Sequence, residues 1–98
     1  MGHPLSPDTM LRISLESICS RNQYTDDPGP VIEELYRVAG GRDDILAEAV
    51  GVWAGCREGE EYTRVLVEAL LQLPGVGEWA ALGRKRRASQ RGGMYFGM

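Results

Sequence analysis

Residues 62–77, YTRVLVEALLQLPGVG, carry the clearest structural signal in the chain. Apolar residues recur there with i, i+3, i+4 spacing, which places them on one face of a helix. Pro74 and Gly75 follow at once and predict an abrupt end of the helix, because proline and glycine interrupt helical geometry. The predicted apolar face consists of Tyr62, Val65, Leu66, Ala69, Leu70 and Leu73.

Two helices are predicted near the start of the chain. The first begins at Ser6, because serine caps helices and the following Pro7 suits the first helical position. Its apolar face comprises Met10, Leu11, Leu15, Ile18 and Cys19. After a loop at 22–29, the second helix starts at Asp27-Pro28 or at Gly29-Pro30 and ends at Gly40-Gly41. Its apolar side comprises Val31 or Ile32, Leu35, and Val38 or Ala39.

A third helix is predicted from Asp43 to a stop at Gly59. Gly51 and Gly55 lie four residues apart within it, and each lowers helix propensity by about 1 kcal/mol relative to alanine. Such a pair also permits a close helix crossing, so we expect this helix to be central. Its buried face comprises Ile45 or Leu46, Ala49, Val52 or Trp53, and Cys56.

The helix at 62–73 described above is the fourth. A fifth helix runs from about Glu78 through Arg87, with Trp79, Ala81 and Leu82 as its only strong apolar contacts.

The fold class that follows is all-α, a compact bundle of four to five short helices. The chain has 98 residues and 43% apolar residues, which suits one domain with a modest core. We expect a flexible N-terminus at 1–5, a helical domain at 6–83, and a basic helix end with a flexible tail at 84–98. No run of about 18 apolar residues occurs, which excludes a membrane span. No signal peptide is evident and the two cysteines form no disulfide framework, so we expect a cytoplasmic protein.

The net charge of −3 is unevenly distributed along the chain. Residues 1–74 carry a net charge of −7, whereas residues 75–98 carry +4. Most of the positive charge lies in one cluster, Arg84, Lys85, Arg86 and Arg87. A charge difference between parts of a chain is typical of a separate binding surface, and it also occurs at a solvated helix end.

Side chains suited to catalysis or metal binding are sparse. The single histidine, His3, lies near the chain start, and Cys19 and Cys56 are 37 residues apart, a spacing that fits no zinc motif. Adjacent carboxylates such as Asp43 and Asp44 fall at predicted helix starts, where negative charge offsets the helix dipole. The sequence therefore predicts no catalytic residue, no metal site and no cofactor, and we expect a protein that is not an enzyme.

The segment 65–82 resembles the helix-hairpin-helix motif of DNA repair and replication proteins. The resemblance rests on Leu70, Leu73, Pro74, Gly75, Val76, Gly77 and Ala81. It implies that the hairpin amides of Gly75, Val76 and Gly77 bind a DNA phosphate without reading sequence, with the basic cluster 84–87 adding contacts. At position 78 this chain has a glutamate, where that family prefers neutral or basic residues.

The leading functional prediction is a small interaction or regulatory protein that binds another protein, or a second copy of itself, through helix surfaces. Aromatic and aliphatic residues of the kind enriched at interfaces support it, and the candidates are Trp79, Leu82, Tyr95 and Phe96. Trp79 has two interpretations, since it either fixes the fifth helix to the bundle or faces a partner. The alternative function is sequence-nonspecific binding of the DNA backbone through the hairpin. No membrane partner is expected.

Overall fold

The computed structural model describes the main chain over residues 5–96 and the side chains over residues 5–89. Five α-helices with short connections make up this part of the chain, which contains no β-strand. They are α1 (Pro7–Arg21), α2 (Gly29–Ala39), α3 (Asp43–Arg57), α4 (Arg64–Leu71) and α5 (Val76–Phe96). The predicted all-α fold, a bundle of short helices, is confirmed.

Local sequence signals set the ends of the first two helices. The Ser6 hydroxyl accepts a hydrogen bond from the Thr9 amide at 3.1 Å and caps α1, as the sequence predicted. At the end of α2, Gly40 adopts a left-handed φ of 58°, and its amide donates to the Tyr36 carbonyl. Glycine is favoured there because a side chain at positive φ is strained. Of the two predicted starts of α2, the one at Gly29 is observed.

Helix α3 lies at the centre of the bundle and packs against each of the other four helices. Its buried side chains include Ile45, Leu46, Val50 and Trp53. The other helices close around it with apolar side chains that include Leu15, Ile18, Cys19, Val31, Leu35, Leu66, Leu70 and Val76. The glycine pair predicted that the third helix is central, and this prediction is confirmed.

The crossing of α3 and α5 brings their main chains into contact. A Cβ atom added at Gly51 would lie 2.5 Å from Trp79 Cβ, and one added at Gly55 would lie 2.9 Å from the carbonyl carbon of Ala80. On α5, a Cβ atom added at Gly83 would lie 3.0 Å from the Gly55 Cα atom. Residue numbers rise together along the contact, so the two helices run in the same direction. Gly51 and Gly55 on α3 and Gly83 on α5 permit this approach, because a side chain at any of them would meet the opposite helix.

Trp53 is an ordinary core residue with a satisfied polar end. Its indole ring is buried, and its Nε1–H donates to the Ser20 hydroxyl at 3.0 Å. The Arg57 guanidinium lies 4.4 Å from the ring centroid, in cation–π contact. A buried tryptophan usually has a hydrogen-bond partner for this N–H group, and Ser20 supplies it from α1.

Several details of the predicted apolar faces are wrong. Tyr62 is 81% exposed, because α4 begins only at Arg64 and Tyr62 lies in the preceding turn. Met10 is 56% exposed and Val65 is 44% exposed, and both lie outside the core. Helix α5 begins at Val76 rather than Glu78, because Gly75 makes the turn at a φ of 79° and the Val76 side chain is then fully buried. It also continues past Arg87 to Phe96.

Candidate interaction surfaces

The predicted basic cluster is divided between two sides of α5. Arg84 and Arg87, one turn apart, face the C-terminal end of α3. Arg84 donates through Nε and Nη2 to the Glu58 carboxylate, with Nη2 at 3.1 Å from Oε2, and Arg87 donates to the Glu58 main-chain carbonyl. The hydrogen bond from Arg84 lowers the pKa of Glu58 below its usual value. Lys85 and Arg86 are exposed and form no ion pair among the described side chains.

This arrangement caps the end of α3. The last carbonyl groups of a helix have no intrahelical partner and carry partial negative charge. Arg87 supplies a donor to that end, and Arg84 neutralises the adjacent carboxylate of Glu58. Together with Gly55, Gly59 and Ala88 these residues line a shallow depression of about 570 Å³. The role of Glu58 could not be predicted from the sequence, because nothing in its spacing shows that it meets residue 84.

The predicted hairpin residues lie together at the start of α5. Gly75 and Gly77 are exposed, whereas the Val76 side chain is fully buried and its amide donates to the Leu73 carbonyl at 3.3 Å. A Cβ atom added at Gly77 would meet nothing within 4 Å, so this side of the first turn is open. Glu78 is exposed directly beside Gly77.

The predicted protein-interface residues have different environments. Trp79 is partly buried and packs against the hydrophobic core, and its Cβ faces Gly51 of α3. This packing corresponds to the interpretation in which Trp79 fixes α5 to the bundle. Leu82 is half-buried and lines a groove described below. The side chains of Tyr95 and Phe96 lie outside the described residues.

A groove that the sequence did not predict lies between α1 and α2. We call it the α1–α2 groove, and it has a volume of about 400 Å³. Exposed Ile13 and Val38 line it from opposite helices, while Arg21 and Glu34 form a 3.9 Å ion pair there. Its remaining lining residues are Ser14, Ser17 and Ile18. The available signal was the helical spacing of Met10, Ile13 and Ser17, a stripe separate from the buried stripe of α1.

A second groove crosses α3 between α1 and α5, and we call it the α1–α5 groove. Its floor is formed by Ala49, Val52 and Leu82, and its volume is about 120 Å³. Arg12 and Glu16 of α1, Glu48 of α3 and Arg86 of α5 form its rims. Beyond Leu82 and Arg86 lies a wider depression of about 400 Å³ that also involves Lys85 and Ser89.

Arg12 reaches into the α1–α5 groove with incomplete hydrogen bonding. Its Nη1 lies 3.2 Å from a Glu48 carboxylate oxygen, and its Nη2 lies 3.4 Å from the Thr9 hydroxyl. The third donor, Nε, is buried and has no acceptor among the described residues. A buried donor without an acceptor costs about 1–3 kcal/mol.

The Cys19 thiol is fully buried in the core. Burial raises the pKa of the Cys19 thiol to about 12, which suppresses the reactive thiolate. Within that part, no group of three or more metal-ligating side chains comes together, and no helix has the length and apolar character needed to cross a bilayer. Searches against protein-family models, curated proteins and solved structures find no match for this chain.

Proposed function

We propose that this protein is a non-enzymatic interaction module that binds a protein through its helix surfaces, and that a second copy of the chain occupies the α1–α2 groove. The observation that supports this proposal is the exposure of two aliphatic side chains on either side of that groove. Ile13 is 49% exposed and Val38 is 38% exposed. Burial of such side chains between two molecules removes apolar surface from water, which favours association.

The charge of the α1–α2 groove is compatible with a second copy as the occupant. Residues 1–74 carry a net charge of −7, so most faces of two bundles repel each other. The α1–α2 groove is an exception, because its charged lining residues, Arg21 and Glu34, are of opposite sign and pair with each other. A twofold axis through such a neutral, ridged surface lets an aliphatic ridge of one copy enter the groove of the other.

Sedimentation equilibrium between 5 and 500 μM, a range of roughly hundredfold, tests the proposal. We expect a dimer for the natural chain and a monomer for Ile13→Asp, since an unpaired carboxylate in an apolar contact costs several kcal/mol. Val65→Asp on α4 is the matched control, because Val65 is also an exposed aliphatic residue, at 44%. A monomer of 10.8 kDa at every concentration contradicts the proposal.

The second candidate function is binding of the DNA backbone at the start of α5. Its support is the open first turn, where Gly75 and Gly77 are exposed and the early helix amides have no intrahelical acceptor. Lys85 and Arg86 supply exposed positive charge, whereas Arg84 and Arg87 are bound to Glu58. The carboxylate of Glu78 opposes phosphate binding at this turn.

Fluorescence anisotropy with two unrelated 20-base-pair duplexes, of about two helical turns, tests this candidate. We expect Glu78→Gln to tighten binding and the double variant Lys85→Ala, Arg86→Ala to weaken it equally for both duplexes. Each lost phosphate contact lowers the slope of log affinity against log salt by about 0.9. No binding by the natural chain or by Glu78→Gln at 50 mM salt, about the low end of the usual range, rejects it.

A further inference from the structure

We propose that the α1–α5 groove binds an acidic peptide segment of a partner protein, with one apolar side chain of the peptide on the groove floor. This inference rests on the proposed function, because it names a partner class for a protein-binding module. It concerns a different face from the α1–α2 groove, and it therefore requires a partner other than the second copy described above.

The floor of the groove suits a single apolar side chain. Ala49, Val52 and Leu82 come from two helices and leave a narrow space of about 120 Å³ between the rims. That volume is slightly below the ~150 Å³ of an apolar cavity known to admit a benzene ring. One aliphatic side chain therefore fills the space, whereas an aromatic ring is too large for it.

The charges around the groove favour an acidic peptide and orient it. On the α5 rim, Lys85 and Arg86 are exposed cations with no ion pair among the described side chains. On the opposite rim, Glu16 is exposed, and Glu48 is bound to Arg12. A peptide carboxylate is thus attracted to the α5 rim and repelled by Glu16, which orients the peptide across the groove.

Arg12 limits the repulsion from the acidic side of the groove. Its Nη1 lies 3.2 Å from a Glu48 carboxylate oxygen, so the charge of Glu48 is balanced within the protein. The carboxylate that remains to repel an acidic peptide is that of Glu16, which forms no ion pair among the described side chains.

The geometry favours a peptide over a nucleic acid. Leu82, Lys85, Arg86 and Ser89 follow the i, i+3, i+4, i+7 spacing of one helix face, the arrangement on which an amphipathic segment docks. A phosphate backbone has no apolar group for the floor and meets the carboxylates of Glu16 and Glu48 at the rims. Duplex binding is therefore the competing outcome of the test.

The experiment uses a phage-displayed library of random peptides, about 12 residues long, selected on the full-length chain. We expect enriched sequences in which aspartate or glutamate flanks an aliphatic residue. The most enriched peptide is then synthesised with a fluorescein label, and its affinity is measured by anisotropy. We expect the double variant Lys85→Glu, Arg86→Glu to bind it at least ~10-fold more weakly and to select basic peptides instead.

Controls separate this inference from the proposed function. Arg37→Glu on α2 makes one exposed cation negative and is expected to leave the affinity unchanged, and circular dichroism checks that each variant is folded. If Ile13→Asp abolishes binding of the labelled peptide and the double variant does not, the inference is wrong and the proposed function stands. Absence of enriched acidic peptides, or displacement of the labelled peptide by duplex DNA, also overturns the inference. Absence of both peptide binding and self-association rejects the proposed function as well.

Discussion

Gly55 of α3 lies directly against the main chain of Ala80 of α5, so no side chain separates the two helices at their crossing. A Cβ atom at Gly55 would lie 3.0 Å from the Ala80 Cα atom, closer than ordinary van der Waals contact. The close packing of α5 against α3 thus depends on residue 55 having no Cβ atom.

Gly55→Ala is expected to destabilise the protein by about 1–3 kcal/mol or more, despite the better helix propensity of alanine. The neighbouring atoms belong to the main chain of α5, so they cannot move aside without displacing the helix. Urea unfolding followed by circular dichroism measures the change in the free energy of unfolding.

Gly77→Ala is the matched control for that prediction. Gly77 also lies in a helix, but an added Cβ atom there meets nothing within 4 Å. We expect unchanged stability or a gain of up to about 1 kcal/mol. Equal losses for the two variants would show that helix α5 does not cross α3 as described.

Glu58→Gln is expected to lower stability by no more than about 1 kcal/mol at neutral pH, because its ion pair with Arg84 is half exposed to solvent. Arg84 lowers the folded-state pKa of Glu58, so the stabilisation is present above the ordinary pKa of 4.5 and is lost as the pH falls through the depressed value. Urea unfolding of both proteins between pH 7 and pH 3, roughly the range that spans this titration, should show curves that converge at the acid end.

Ser20→Ala is expected to destabilise the protein by about 1 kcal/mol, because it removes the acceptor for the buried Trp53 N–H. The change should also shift the fluorescence of Trp53 relative to Trp79. Ser17→Ala on the same helix is the control, since Ser17 is exposed and forms no side-chain hydrogen bond in the described part of the chain. A similar loss for both variants would mean that helix propensity, not the indole contact, determines the effect.

The two cysteines should differ in their rates of alkylation. Cys19 is fully buried and its pKa is raised to about 12, whereas Cys56 is only partly buried and contacts the Gly83 carbonyl at 3.5 Å. Iodoacetamide labelling at pH 8, roughly neutral to weakly basic, should modify Cys56 first, and Cys19 only as fast as the protein opens. Peptide mass spectrometry locates the label, and comparable rates at both sites would contradict the burial of Cys19.

The sequence predicted those features that depend on local chemistry. The Ser6 cap, the stop at Gly40 and the close crossing at Gly51 and Gly55 each follow from what one residue type permits. The exposure of Tyr62 could not be predicted, because its spacing fits the apolar stripe and only the late start of α4 removes it from the helix.

The candidate surfaces were harder to predict than the fold. The sequence identified the charge cluster at 84–87 but not its division, because that depends on the contact between Arg84 and a carboxylate 26 residues away. The exposure of Ile13 could not be predicted either, because an isoleucine on a helix is ordinarily buried and its environment depends on where α2 packs. Tertiary contacts, rather than local propensity, decide both.

The shared direction of α3 and α5 also constrains the length of the connection between them. Two helices that run in opposite directions can be joined by a few residues, but two that run the same way need a segment that returns across the full length of the first. Residues 58–75, which include α4, form that return segment. Deletions within α4 should therefore prevent α5 from packing along α3. We expect changes in the length of the loop at 22–28 to leave the arrangement of the bundle unaltered.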